Sequence, residues 1–294
     1  MKIASNKIND VVRFFRQELD TLYEKEEIES MMVFCFEVYL SMKRSDISLR
    51  GNETMSESDL LKFNFAIKDL KKFRPIQYIL GYADFYKLKF KVDEHVLIPR
   101  PETEELVDLI IKDHRSSILK KQDLSIMDIG TGSGCIPIAL KKNIPDANVS
   151  SLDISAEAID IAKYNSELNG VEVEFIVDNV LNSIYFNSEF STALDIIVSN
   201  PPYICFSEKE SMHQNVLDYE PHLALFVNDS DPLLFYKAIA DLALKKLKPD
   251  GKIYFEINQA FGLESKYMLE SKGFKNVELL KDISNNYRIL RGSI

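Results

Sequence analysis

From Val96 onward, strand patterns and helix patterns alternate along the chain, and this alternation restricts the fold more than any other feature. Short apolar runs that end in turn residues predict strands, and segments with apolar residues at helical spacing predict the helices between them. The predicted strands are 125–129, 149–153, 172–177, 194–199, 252–257, 277–283 and 287–291, and the predicted helices are 135–142, 155–169, 232–247 and 263–271. A turn is predicted at residues 248–251, between the third of these helices and the strand that follows it. Strands that alternate with helices form a mostly parallel sheet with helices on both faces, so we expect one α/β domain over residues 96–294.

The residues before this domain follow two other patterns. Over residues 1–74, apolar residues recur at helical spacing, and Ser56 followed by Asp59 is typical of a helix N-terminus. Within residues 75–95, lysine alternates with apolar residues, which is typical of a half-exposed strand. The sequence therefore predicts a helical bundle, then a β-hairpin that links the bundle to the α/β domain.

The composition describes an acidic chain with few cysteines. The 294 residues carry a formal net charge of −10, which argues against stable nucleic-acid binding because phosphate contacts need a basic surface. The 3 cysteines are widely spaced and the 4 histidines lack the spacing of metal ligands, so we expect neither a disulfide framework nor a metal site. With no signal peptide and no apolar run long enough for a bilayer, a cytoplasmic protein without membrane contact is expected.

A glycine-rich loop follows the first strand of the predicted sheet. Its sequence is Gly130-Thr131-Gly132-Ser133-Gly134, and glycines there let the backbone approach a ligand near a helix N-terminus. Asp153 lies about 20 residues farther on, at the end of the second strand, where a carboxylate meets ribose hydroxyls in this architecture. Together they predict a nucleoside-containing cofactor, and the alternative is a tight turn beside an exposed acid.

Two further strands also end in polar residues. Asp178 and Asn179 follow the third strand and are expected either to bind an adenine amino group or to begin a loop. The fourth strand ends in Asn200-Pro201-Pro202-Tyr203, where the prolines restrict the backbone and remove N–H donors. Ligands of open α/β sheets bind at the carboxyl ends of the strands. These residues are therefore predicted to share one site, in which the stiff loop holds a planar amide or amine.

In this order, the glycine loop, the acid and the Asn-Pro-Pro-Tyr loop resemble S-adenosylmethionine-dependent methyltransferases that modify planar nitrogens, including adenine-N6 and glutamine-N5 enzymes. A longer match is similar to the peptide chain release factor glutamine methyltransferases, the PrmC or HemK family. The matching segments are Arg74-Pro75-Ile76-Gln77-Tyr78-Ile79-Leu80-Gly81, Phe85-Tyr86, Val96-Leu97-Ile98-Pro99-Arg100-Pro101-Glu102-Thr103-Glu104, residues 200–204, Glu220-Pro221 with Ala224-Leu225, and residues 256–259. One departure is Asn179, which stands where many family members carry an aromatic residue against the adenine.

The resemblance implies a Rossmann-like class I methyltransferase domain, a small helical domain that recognises the substrate, and a hairpin linker. It implies S-adenosylmethionine as cofactor and S-adenosylhomocysteine as product. The cofactor-binding residues would be Gly130, Thr131, Gly132, Ser133, Gly134, Asp153, Asp178, Asn179 and Asn200. The methyl acceptor would be the side-chain amide nitrogen of the glutamine in the Gly-Gly-Gln motif of peptide chain release factors 1 and 2.

The same resemblance assigns roles to the loop that ends the fourth strand. The Asn200 side-chain oxygen and the Pro201 carbonyl would accept the two N–H bonds of the acceptor amide, and Tyr203 would cover its plane. Pro202 belongs to the same substrate-binding loop. A monomer without metal or covalent intermediate is expected. The alternative enzyme is an adenine-N6 methyltransferase for nucleic acid, and a third reading is a cofactor-binding regulatory protein without activity.

Overall fold

A computed structural model describes residues 5–116, 123–187 and 193–294. The chain divides into two compact units. The first consists of Met1–Gly81 and His213–Tyr219, and the second of Tyr82–Met212 and Glu220–Ile294.

The first unit is a helical bundle. Its helices are α1 (Ile8–Leu19), α2 (Lys25–Leu40), α3 (Arg44–Leu49), α4 (Glu57–Leu70), α5 (Ile76–Leu80) and α10 (Gln214–Tyr219). The apolar faces of α1 to α5 meet in one core, where the ring centroids of Phe36 and Phe63 lie 4.6 Å apart. Ser56 caps α4 as its spacing predicts, because its hydroxyl oxygen accepts a hydrogen bond from the Asp59 N–H at 3.1 Å.

Helix α5 lies in a segment that was expected to belong to the hairpin linker. Its apolar residues Ile76, Ile79 and Leu80 have helical spacing, and Leu80 is buried in the core of the bundle. The division between the units therefore falls after Gly81, where the left-handed φ of 77° ends the helix.

The predicted β-hairpin opens the second unit. Strands β1 (Tyr82–Phe85) and β2 (Leu88–Lys91) pair antiparallel, with Phe85 opposite Leu88. The two turn residues, Tyr86 and Lys87, have φ values of 48° and 64°, which is the backbone of a type I′ hairpin turn.

The second unit is built on a seven-stranded sheet. Its strands are β3 (Ser125–Ile129), β4 (Asn148–Asp153), β5 (Glu174–Val177), β6 (Leu194–Ser199), β9 (Leu247–Glu256), β10 (Lys275–Lys281) and β11 (Tyr287–Ser293). The spatial order is β10-β11-β9-β6-β3-β4-β5. The last five strands of that order are parallel to one another, and β11 pairs antiparallel with both of its neighbours, β9 and β10. The strand pair β7 (Ile204–Cys205) and β8 (Phe226–Val227) forms a separate parallel patch.

Helices cover both faces of this sheet. They are α6 (Pro101–Ser116), α7 (Cys135–Asn143), α8 (Ala156–Asn169), α12 (Leu234–Lys246) and α13 (Gly262–Ser271). Two four-residue helices, α9 (Ile184–Asn187) and α11 (His222–Leu225), lie in the connections between β5 and β6 and between β7 and β8. Successive side chains of a strand point to opposite faces, and accordingly Ile253 and Phe255 of β9 join one core cluster while Tyr254 joins the other. This arrangement confirms the predicted α/β fold with a mostly parallel sheet.

The start of β9 differs from the sequence-based expectation. Residues 248–251 were predicted as a turn before the strand, but β9 already pairs with β6 at Leu247. The next paired residues are Lys252 of β9 and Ile196 of β6. Between the two pairs, β9 has the four residues 248–251 and β6 has only Asp195, so residues 248–251 form an irregular bulge. Lys248 holds the bulge, since its ammonium lies 2.6 Å from the Asp195 carboxylate.

Asn165 of α8 joins the hairpin to the glycine-rich loop. Its side-chain oxygen accepts a hydrogen bond from the Lys91 N–H at 2.6 Å, and its amide group donates to the Lys91 carbonyl at 3.0 Å and the Ser133 carbonyl at 2.9 Å. The buried carboxamide satisfies one donor and two acceptors that would otherwise lose water without replacement. The hairpin and the loop are therefore held to the same helix.

Candidate active site

The glycine-rich loop connects β3 to α7, as predicted, and is hydrogen-bonded to the end of β4. The N–H groups of Gly130 and Thr131 donate to the Leu152 carbonyl at 2.9 and 3.1 Å. The Gly132 N–H donates to the Asp153 carboxylate at 2.8 Å. The loop and the acid, which are about 20 residues apart in this architecture, therefore form one structural element.

The glycines of the loop serve two different purposes. All have left-handed φ, 81° at Gly130, 51° at Gly132 and 81° at Gly134. A Cβ at Gly132 would meet no atom of the described residues within 4 Å, so the space above it is open. A Cβ at Gly134 would lie 3.1 Å from that of Ala162, so this glycine permits close packing of α7 on α8.

A cavity of about 330 Å³ opens beside the loop at the carboxyl ends of β3, β4, β5 and β6, a size typical of a small-molecule site. The predicted residues that line it are Gly130, Thr131, Gly132, Ser133, Asp153, Asp178, Asn179, Asn200, Pro201 and Pro202. Four strands thus deliver their terminal residues to one place. Gly134 and Tyr203 were predicted as site residues but do not line the cavity.

Asp153 retains the capacity to bind a hydroxyl. One carboxylate oxygen accepts the Gly132 N–H, and the other accepts the Ser155 N–H at 3.0 Å. Each oxygen has a second lone pair for a ligand hydroxyl. Burial raises the pKa of Asp153, and the hydrogen bonds from the Ser155 and Gly132 backbones oppose that rise.

Asp178 and Asn179 line the cavity, but their side chains are largely engaged in ordering their own loop. The Asp178 carboxylate accepts the Tyr185 N–H at 3.0 Å and is also bonded by the Ser183 hydroxyl. The Asn179 oxygen accepts the Leu181 N–H at 2.9 Å. Burial alone would raise the pKa of Asp178, but the Ser183 hydroxyl and the backbone donors lower it below its ordinary value. The loop-forming alternative describes these contacts better than an adenine clamp.

The Asn-Pro-Pro-Tyr segment presents its first three residues to the cavity and turns its tyrosine away. The Asn200 amide nitrogen lies 3.3 Å from the Thr103 hydroxyl oxygen. The Tyr203 hydroxyl donates to the Glu256 carboxylate at 3.1 Å, and its ring packs against the core cluster of one sheet face. The expectation that Tyr203 covers an amide plane is therefore not met by this geometry.

The fold brings further polar residues to the site that the sequence patterns did not predict there. Thr103 donates to Glu256 at 2.6 Å, and the Arg100 guanidinium lies 2.5 Å from the buried Glu220 carboxylate. Thr103 and Arg100 also line the cavity. Their segments were noted only as parts of the family resemblance, because partners more than 100 residues apart leave no local spacing to read.

The residues of the cavity fit S-adenosylmethionine. The Thr131 and Ser133 hydroxyls are buried without a hydrogen-bond partner among the described residues, and both residues line the wall. Leu152, Ile154 and Leu181 add an apolar surface for a planar base. The open space above Gly132 supplies room that a side chain there would fill.

Two other kinds of site find no support in the part of the chain that the structure covers. None of its helices is long and apolar enough to cross a membrane. No cluster of three or more His, Cys, Asp or Glu side chains within residues 5–116, 123–187 and 193–294 is arranged to hold a metal ion.

Comparison with known proteins identifies the family. Residues 10–81 match the PrmC N-terminal domain, and residues 115–219 match the methyltransferase small domain. A release factor glutamine methyltransferase from Flavobacterium psychrophilum is 47% identical over 94% of this chain and 95% of its own length. Another from Bacteroides thetaiotaomicron is 44% identical over 96% of this chain and 99% of its own.

This chain belongs to the release factor glutamine methyltransferase family. A methyltransferase from Pyrococcus furiosus shares the fold, with a TM-score of 0.50 and 14% identity over 81% of this chain and 98% of its own. The two matched ranges cover most of the helical unit and the part of the α/β unit that contains the glycine loop and the Asn-Pro-Pro-Tyr segment.

Replacing Gly132 with valine is expected to abolish cofactor binding. The new side chain would project into the open space above the loop, and φ of 51° costs a β-branched residue about 1–2 kcal/mol. Titration calorimetry with S-adenosylmethionine measures the affinity, and the melting temperature reports whether the fold survives. A folded variant with native affinity would show that the loop does not border the cofactor.

Asp128 at the end of β3 is a buried acid with an unusual titration. It is completely inaccessible to solvent, and one oxygen accepts the Ser151 hydroxyl at 2.7 Å. Burial raises the pKa of Asp128 from 3.8 to about 7, and the Ser151 hydroxyl opposes the rise. The folded state therefore binds a proton that the unfolded state has released, from about pH 4 to about pH 7.

We expect Asp128 to lower stability as the pH rises through that window. Because the unfolded state binds fewer protons there, the free energy of unfolding falls by at most about 1.4 kcal/mol per pH unit. Asp128→Asn removes this contribution, so the variant should lose less stability between pH 4 and pH 7. Urea unfolding of both proteins at several pH values measures the difference. Parallel pH profiles would contradict the assignment.

Proposed function

We propose that this chain transfers a methyl group from S-adenosylmethionine to the side-chain amide nitrogen of the glutamine in the Gly-Gly-Gln motif of bacterial class 1 release factors. The proposal is supported by relatives at 44% and 47% identity that carry the name release factor glutamine methyltransferase. We further propose that release factors 1 and 2 are both substrates, and that the enzyme acts as a monomer in the cytoplasm without stable nucleic-acid binding.

One observation supports this chemistry above the others. Asn200 and Pro201 line the same cavity as the glycine loop and Asp153. A planar amide bound there meets acceptor oxygens beside the cofactor position. An adenine amino group has similar donors, but the net charge of −10 makes nucleic acid the less favourable partner.

The residues of the chain position the acceptor. Bound S-adenosylmethionine supplies an electrophilic methyl group on a sulfonium. An amide nitrogen is a weak nucleophile, so its alignment with the methyl group is the main requirement. Asn200 Oδ1 accepts one N–H of the substrate amide and the Pro201 carbonyl accepts the other. Both dipoles would stabilise the positive charge that develops on nitrogen as the N–CH₃ bond forms and the CH₃–S bond breaks. S-adenosylhomocysteine would be left, and the proton of the methylated nitrogen would pass to water.

The helical unit is proposed to recognise the protein substrate. It matches the PrmC N-terminal domain, and no group of three or more His, Cys, Asp or Glu side chains among its described residues is arranged to hold a metal ion. Binding energy from contacts remote from the reacting group can be used to position that group. Intact release factor should therefore be a far better substrate than a short peptide with the same Gly-Gly-Gln sequence.

Mass spectrometry of release factor, or of the isolated peptide, after incubation with the enzyme and S-adenosylmethionine tests the proposed reaction and the proposed recognition role of the helical unit. We expect a gain of one methyl group on the Gly-Gly-Gln peptide of intact release factor, and a much lower kcat/KM for the isolated peptide. Methylation of a nucleic acid instead would support the adenine-N6 alternative. Equal efficiency on peptide and intact protein would remove the recognition role of the helical unit.

Asn200→Ala should lower the methylation rate by roughly 10²–10³, the usual effect of losing one preorganised polar contact to a developing charge. Cofactor affinity should change much less, because the contact is made to the acceptor. Single-turnover rates and titration calorimetry separate the two effects. Asn200→Asp is the matched variant, since it keeps an acceptor of similar size and adds a charge. Native rates in both variants would leave Pro201 as the only clamp.

A further inference from the structure

A chain of buried hydroxyl and carboxylate groups lies behind Asn200. The side-chain amide nitrogen of Asn200 is 3.3 Å from Thr103 Oγ1, and Thr103 Oγ1 is 2.6 Å from Glu256 Oε2. The other oxygen of Glu256 accepts the Tyr203 hydroxyl at 3.1 Å. Thr103 and Glu256 are 3% and 1% exposed, so water does not compete for these contacts.

The donors and acceptors of this chain determine its direction. An ionised carboxylate only accepts hydrogen bonds, so the Thr103 hydroxyl proton is committed to Glu256. The Thr103 oxygen then offers only lone pairs to Asn200 and can accept from its NH₂ group. With the carboxamide turned over, two acceptor oxygens would face each other in a buried site. The NH₂ group of Asn200 therefore faces Thr103, and its oxygen is left for the cavity.

The surroundings of Glu256 support its role as an acceptor. Burial raises the pKa of Glu256, but the Thr103 hydroxyl, the positive charge of Arg288 and the Tyr203 hydroxyl all favour the ionised form. Both of its oxygens are occupied by hydroxyl donors. Tyr203, which does not line the cavity, therefore belongs to the same series of hydrogen bonds, as a donor to Glu256.

We propose that Thr103 and Glu256 are positioning residues that hold the Asn200 carboxamide with its oxygen toward the substrate amide. The inference rests on the proposed function and deepens it. Neither residue needs to touch the reacting atoms. They act by preventing a rotation that would present an NH₂ donor to the two N–H groups of the substrate, which need acceptors.

Thr103→Val tests this proposal, because valine keeps the volume of threonine and removes the hydroxyl. We expect kcat for release factor methylation to fall roughly 10- to 100-fold, as for a misplaced catalytic group, with nearly unchanged affinity for S-adenosylmethionine. Thr103→Ser restores the hydroxyl and should return kcat to within about fivefold of the unaltered enzyme, the residual loss being one buried methyl group. Ser265→Ala is the matched control, since it removes a buried hydroxyl that has no hydrogen-bond partner among the described residues and lies outside the cavity wall.

A double-mutant cycle with Asn200→Ala distinguishes positioning from general damage to the fold. If Thr103 acts through Asn200, Thr103→Val has no further effect on the single-turnover rate once Asn200 is alanine. An equal loss in both backgrounds would overturn the proposal, as would a valine variant with native kcat. Should the valine variant melt early, Thr103→Ala enters the same cycle. An unaltered enzyme that does not methylate release factor overturns the proposed function and this inference together, whereas an active enzyme with an unaffected valine variant overturns the inference alone.

Discussion

The register of three parallel strands is the constraint on which the site depends. Ile129 at the end of β3 pairs with Leu152 of β4 on one side and with Ser199 of β6 on the other. Because the three strands end level, the glycine loop, Asp153 and Asn200 begin at the same edge of the sheet. A shift of one residue in either pairing would turn the side chains to the other face and separate them.

Close packing at this edge brings polar groups out of water, and the structure compensates for this with dense hydrogen bonding. Asp153 accepts two backbone N–H groups, and both oxygens of Glu256 accept hydroxyls. The exceptions at this edge among residues 5–116, 123–187 and 193–294 are one carboxylate oxygen of Asp128 and the hydroxyls of Thr131 and Ser133, for which no hydrogen bond is found.

Fold class and much of the cavity could be predicted from local patterns. Periodicity identified the strands that form the sheet, and the residues that follow them were correctly expected to meet at one edge. Two local features were predicted wrongly, because tertiary contacts rather than the local sequence determine them. Helix α5 is short, and its pattern is recognisable only once Leu80 is seen in the core of the bundle. The turn expected at residues 248–251 is instead a bulge within β9, because Leu247 already pairs with Leu194.

The sequence by itself determined which residues end the four strands β3 to β6, because alternation of apolar runs with helical spacing fixes the order of elements and parallel strands share their carboxyl edge. It also carried the family resemblance, which places the Asn-Pro-Pro-Tyr segment beside a cofactor loop. Only the tertiary structure decided how side chains at that edge are partnered. The Tyr203 hydroxyl donates a hydrogen bond to Glu256, and Thr103 joins Asn200 to Glu256 through hydrogen bonds. Gly134, which has no side chain, allows close packing against Ala162. Such contacts join residues up to 153 positions apart, and a hydrogen bond of that kind depends on the packed geometry of the whole sheet rather than on any local spacing.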